Sequence, residues 1–169
     1  MTSTWRRGII LTAAVLLVLG AGVVDRARAD GGGGDDSPQT RSAPNDPDYT
    51  TGVRAIKERR FTEAILLLRR VVDRDVRNAD AFNWLAYATR SSGDAAGSLP
   101  IYEKALAIDP KHRGAHEYVG EAYLTLGNVA KAREHLARLA KLCFLPCSEY
   151  RDLKNAVEEY EKTGKSSAR

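Results

Sequence analysis

The sequence predicts an all-α fold: a solenoid of three helical hairpins followed by a capping helix. Three observations predict it. A 34-residue register runs three times without a slip, over 45–78, 79–112 and 113–146. Within each copy, apolar residues recur three to four apart, the spacing of one helix face. Turn signals fall at fixed places between those runs. A period of this length marks a repeat array, in which each unit buries its apolar face on its neighbour.

The aligned copies justify each hairpin. The eighth position holds Gly52, Ala86 and Gly120, and the twentieth holds Ala64, Ser98 and Ala132. Such small residues let two helices approach closely. The twenty-fourth position holds Leu68, Tyr102 and Leu136, which fill the space between helices. In the second copy, Leu85, Ala88 and Thr89 share one helical face, and Leu99, Tyr102, Ala105 and Leu106 share another. Gly93-Asp94 ends its first helix and Pro110 follows its second. The third copy repeats the turn as Gly127-Asn128. The first copy is the most degenerate: Arg59-Arg60 replace the turn glycine and Val76 replaces the closing proline.

The ends lie outside the repeats. Arg6 and Arg7 precede an uncharged apolar run, Gly8 to Val24, and Ala27-Arg28-Ala29 forms an A-x-A signal. Residues 1–29 are therefore expected to be a cleavable secretory signal peptide, cut before Asp30, which implies a periplasmic or secreted protein. An uncleaved anchor is the alternative, at the short edge of a membrane span. Residues 30–46 have almost no apolar content and read as a Gly/Asp/Pro-rich linker. Residues 47–146 carry the repeats. Residues 147–163 read as the cap helix, with Ser148 as its expected N-cap and Tyr150, Leu153, Val157 and Tyr160 as its apolar stripe. Residues 164–169 are expected to be a disordered tail.

Charge and motifs narrow the function. Without residues 1–29 the chain has 22 basic and 21 acidic residues, so nothing favours nucleic acid. The local cluster Arg69, Arg70, Arg74 and Arg77 is interleaved by Asp73 and Asp75, as on a solvated helix face. The GGGG run at 31–34 has no strand before it and no helix after it, so it is no phosphate loop. No G-x-S-x-G, H-E-x-x-H or C-x-x-C-H pattern is present. The sequence points to a non-catalytic protein without a cofactor.

Cys143 and Cys147 form a C-x3-C pair at the junction of the third copy and the cap helix. In an oxidising compartment such a pair tends to form a disulfide. Pro146 turns the chain there, and so short a loop is worth about 2 kcal/mol in the entropy model. The alternative is a periplasmic copper-binding or thiol-redox accessory protein that uses Cys143 and Cys147, with His135 as a third ligand two helical turns earlier.

The register resembles the tetratricopeptide repeat (TPR). The second copy carries it best, with Leu85, Ala86, Gly93-Asp94, Tyr102, Ala105 and Asp109-Pro110. The resemblance implies a concave groove lined by the first helix of each repeat. Carried over by position, its peptide-binding residues are Tyr49 and Val53 from the first copy, Asn83, Trp84, Tyr87 and Arg90 from the second, and Glu117, Tyr118 and Glu121 from the third. Aromatic residues and arginine are common binding anchors. The family's carboxylate clamp wants Lys and Asn where this chain has Tyr49 and Val53, so a receptor for acidic chaperone tails is disfavoured. The expected partner is a protein or peptide of the cell envelope, with self-association through exposed repeat faces as a further possibility.

Overall fold

A computed structural model describes residues 46–166. The expected signal peptide, most of the linker and the last three tail residues lie outside the described residues. Seven α-helices follow one another: α1 (Pro47–Lys57), α2 (Phe61–Arg74), α3 (Ala79–Ser91), α4 (Ala95–Ile108), α5 (Arg113–Thr125), α6 (Val129–Leu142) and α7 (Ser148–Thr163). There is no strand among the described residues. Helices α1 and α2, α3 and α4, and α5 and α6 pair as hairpins, and each hairpin packs on the next. Helix α7 packs on both α5 and α6. It takes the place that the first helix of a fourth hairpin would fill. No described helix is long and apolar enough to cross a membrane.

The small-residue positions do what the register requires. Ala64, Ala86, Ser98 and Ala132 are fully buried. A Cβ added at Gly52 would lie 2.9 Å from Leu68 Cγ, and one at Gly120 would lie 2.6 Å from Leu153 Cδ2. Even a methyl group at either position would force packed leucines to move. At the twenty-fourth position Leu68 and Tyr102 are fully buried, whereas Leu136 is half-buried and Leu139, one turn on, is fully buried.

Side-chain caps set most helix starts. Asp46 Oδ1 accepts from the Asp48 and Tyr49 amides at 2.8 and 3.1 Å. Asn78, Asp94 and Asn128 cap α3, α4 and α6 in the same way. His112 caps α5 through Nδ1, which accepts from the Ala115 amide at 3.1 Å. The turns of the second and third hairpins use Gly93 and Gly127 at positive φ, 105° and 77°. At the equivalent place Arg59 adopts φ 60°, a left-handed conformation that disfavours a side chain. The next residue, Arg60, gives α2 no side-chain cap.

One sequence expectation about α7 changes. Its N-cap is Cys147, not Ser148, and Cys147 makes no side-chain cap bond. Ser148 is the first helical residue and donates to Glu149 Oε2 at 3.1 Å. The start falls there because Cys147 holds the extended backbone next to its partner sulfur. Gly164 closes α7 in the left-handed conformation with its amide on Tyr160 O, and the Ser166 hydroxyl lies 3.3 Å from that of Thr125.

Candidate functional site

The first helix of each hairpin and α7 share one face. On it α3, α5 and α7 line an open cavity of about 510 Å³. Helix α3 contributes Asp80, Asn83, Trp84 and Tyr87, and His112 and α5 contribute Gly114, Glu117, Tyr118 and Glu121. The third wall is Ser148, Glu149 and Asp152. Three rings meet at one side. Tyr87 and Tyr118 have centroids 4.9 Å apart with planes at 62°, Trp84 and Tyr87 5.8 Å at 74°, and Trp84 and Tyr118 6.1 Å at 45°. Edge contacts of this kind fit the ring quadrupoles. All three rings are half-buried: their inner edges rest on the core and their outer edges line the cavity.

Six of the nine groove residues expected from sequence line this cavity: Asn83, Trp84, Tyr87, Glu117, Tyr118 and Glu121. Three do not. Tyr49 packs beside the first core cluster and Val53 is half-buried on α1, both away from the cavity lining. Arg90 is a correction of role. Its side chain is 2 % exposed and donates to Glu121 Oε2 at 2.9 Å, so it lies beneath the surface as half of a buried ion pair. Its Cζ is 5.3 Å from the Tyr87 ring centroid. The pair ties α3 to α5 across a repeat boundary and fixes Tyr87 and Glu121 relative to one another.

Sequence reasoning missed the α7 wall because that helix was read only as a solvating cap. The signal was there. One further step of the 34-residue register puts Ser148 at the second position, with Asp80 and Gly114, and Asp152 at the sixth, with Trp84 and Tyr118. The face is therefore periodic through α7.

Five carboxylates, Asp80, Glu117, Glu121, Glu149 and Asp152, stand among the described residues that line the cavity. His112 Nε2 lies 3.0 Å from Asp80 Oδ1, so the Nε2–H tautomer donates to Asp80 while Nδ1 accepts the α5 amide. Arg113 reaches Glu149 at 3.7 Å from the rim. Burial, followed by the Glu117 carboxylate, pushes the Tyr118 phenol up from its ordinary value. Asn83 is 3 % exposed, and its Oδ1 has no hydrogen-bond partner. A buried acceptor without a donor costs free energy until a ligand or water supplies one.

The cysteines and histidines sort differently from the metal alternative. Cys143 and Cys147 sulfurs are 2.11 Å apart, at disulfide distance. Phe144 stands fully out on the loop between them, and Leu145 beside it is mostly exposed. His135 turns to α5 instead: its Nδ1 lies 3.0 Å from His116 Nδ1, and its ring stacks on Tyr123. The set Cys143, Cys147 and His135 is therefore not gathered. Among the described residues no group of three His, Cys, Asp or Glu is placed to hold a metal ion.

Stacked helical hairpins with one shared lined face define a class: helical-repeat interaction modules. Two tetratricopeptide repeat models match the chain, over residues 49–113 and 90–157, and together run without a gap from 49 to 157. The chain belongs to the tetratricopeptide repeat family. Repeats of this family are typically non-catalytic protein-interaction modules. No curated protein matches the chain in sequence. Solved structures share its fold. The Yersinia enterocolitica type III secretion translocator chaperone SycD superposes with TM-score 0.63 at 14% identity, over 69% of this chain and 83% of that one. SycD in complex with a peptide of the translocator YopD gives 0.59 at 16%, over 68% and 87%. The first TPR of Spaghetti (RPAP3), bound to the HSP90 peptide SRMEEVD, gives 0.56 at 21%, over 66% and 90%.

Proposed function

We propose that this protein is an exported, non-catalytic scaffold that recognises a peptide segment or helix of a cell-envelope partner on the face built by α3, α5 and α7. The observation that carries the reading is the ring cluster of Trp84, Tyr87 and Tyr118 at a cavity large enough for several side chains. Rigid aromatic groups held in place before binding lose little entropy when a partner arrives. Solved structures of the same fold hold peptides, as SycD does with YopD and RPAP3 with the HSP90 peptide. The export reading rests on Arg6-Arg7, the apolar run Gly8 to Val24 and Ala27-Arg28-Ala29. A Cys143–Cys147 disulfide suits an oxidising compartment.

The test is partner capture from an envelope extract by the full chain and by Trp84→Ala, with helicity measured on both. The expected outcome is an enriched partner that Trp84→Ala loses, with unchanged helicity. Equal capture by both chains would move the interaction surface elsewhere. Mass measurement of the N-terminus of the envelope fraction should show a start at Asp30.

A further inference from the structure

We propose that the disulfide-closed loop between α6 and α7 docks on an anionic lipid surface: Phe144 and Leu145 enter the interface while Arg138, Lys141 and Arg151 meet its phosphates. The inference does not rest on the groove reading. It starts from apolar surface left in water. Phe144 is 101 % exposed, so its ring packs on none of the described residues, and Leu145 is 73 % exposed. Pro146 beside them is exposed as well. Single apolar side chains are common on surfaces, but three in succession on one loop make a continuous apolar point. The repeat register does not ask for it, since Phe144 stands where the second copy has Pro110. Cys143 ends α6 and Cys147 precedes α7, with Cα atoms 5.8 Å apart. The point is therefore carried on a short closed ring and loses little freedom on insertion.

The charge around the loop selects the lipid. Between Glu134 and Glu149 the only formally charged residues are Arg138 and Lys141, both exposed on α6. Glu134 itself pairs with Lys131. On α7, Arg151 is exposed one turn after Cys147, whose carbonyl accepts its amide. Glu149 and Asp152, in the same turn, line the cavity instead, and Glu149 also meets Arg113. Apolar side chains flanked by exposed bases are the pattern of interfacial anchoring: the apolar groups enter the acyl boundary and the cations stay among anionic headgroups. An apolar pocket in a protein would take the same two side chains, but it gives the surrounding bases no general role. Ser148, next after Cys147, lines the cavity, so docking holds the groove beside the lipid surface.

The experiment uses the full chain carrying Phe144→Trp, with the parent chain giving the background of Trp5 and Trp84. Phe144 is fully exposed, so the exchange leaves the fold intact, which circular dichroism checks. Vesicles of phosphatidylcholine and phosphatidylglycerol in equal parts are titrated in, with and without bromine on the acyl chains. The inference expects the new tryptophan to emit further to the blue and to be quenched by the brominated lipid, with molar salt weakening both effects. Adding Leu145→Ser should raise the lipid concentration at half-quenching about tenfold. Lys141→Gln and Arg151→Gln should each raise it about fivefold. A residue 144 that stays in water on these vesicles would overturn the inference. So would equal quenching on phosphatidylcholine alone, because it leaves the bases without a role. Shielding of residue 144 by an envelope protein in the absence of lipid, with none on vesicles, would place the loop in a protein pocket and overturn the lipid assignment.

Discussion

Hairpin α1–α2 and the α3–α5 region use acids and bases in opposite settings. In the first, Arg70 and Arg74 reach across to Asp46 and Asp48 at 2.9 Å, with both arginine side chains more than half exposed. In the second, Arg90 and Glu121 are sealed at 2.9 Å, with side chains 2 % and 5 % exposed. The distances match but the energetic consequences do not. Water and salt screen the outer pairs, so they contribute little. The inner pair has lost its hydration, so removing one partner strands the other. The difference teaches that the α3–α5 junction is fixed by a mutual dependence, whereas the first hairpin is held chiefly by packing, with its exposed ion pairs adding little.

The sharpest break is Glu121→Ala. It should cost about 3–5 kcal/mol, because it leaves Arg90 buried without a counter-charge. Denaturant unfolding checks it, and a cost below that of a surface substitution would remove the distinction.

Acid should separate the first hairpin from the α5–α6 hairpin by pH. Burial, then neighbouring His116, holds His135 down to about 4, and burial likewise holds His116 below its ordinary value. Lys131 and Arg138 act in the same direction on His135, Glu134 opposes them, and Asp109 opposes the shift of His116. His116 Nε2 donates to Pro110 O, so its Nδ1 accepts from His135 Nδ1–H, and both rings are neutral in this arrangement. The folded value is below the unfolded one, so the unfolded chain binds more protons as pH falls. Stability is then lost from the ordinary value of 6.5 down to about 4. In the first hairpin, hydrogen bonds from Arg70 and then Arg74 hold Asp48 down to about 2. That stabilisation is complete above the ordinary value of 3.8 and is lost as pH falls through about 2. His135→Gln should flatten the upper window and spare the lower one in a pH series of unfolding midpoints.

Arg59→Gly sharpens the comparison by giving the first hairpin the turn residue of the others. Relief of the positive φ should stabilise by about 1 kcal/mol, seen as a higher unfolding midpoint. The smallest effect belongs to Arg70→Ala. It should shift the midpoint less than Arg59→Gly does, and the shift should vanish in molar salt.

Much of this was legible in the residues. The period placed every hairpin, because small residues at the eighth and twentieth positions have no other use than close helix approach. The aromatic trio was legible because Trp84 and Tyr118 share a register position and Tyr87 lies one turn on. Arg90 was misjudged because register position reports which face a residue lies on, not how deep its end group sits. Its depth depends on Glu121, 31 residues away. The His116–His135 contact was hidden for the same reason: it joins two helices through side chains that no spacing rule pairs.

Among the described residues α7 supplies only the first helix of a further unit, and that has a consequence for how such a chain can change. The cavity draws equivalent positions from three successive steps of one period, so its location is set by α3, α5 and α7 together. Hairpins gained or lost ahead of α1 would leave it whole. A hairpin added after α7 would bury the acidic wall under a new neighbour and displace the terminal recess by one step.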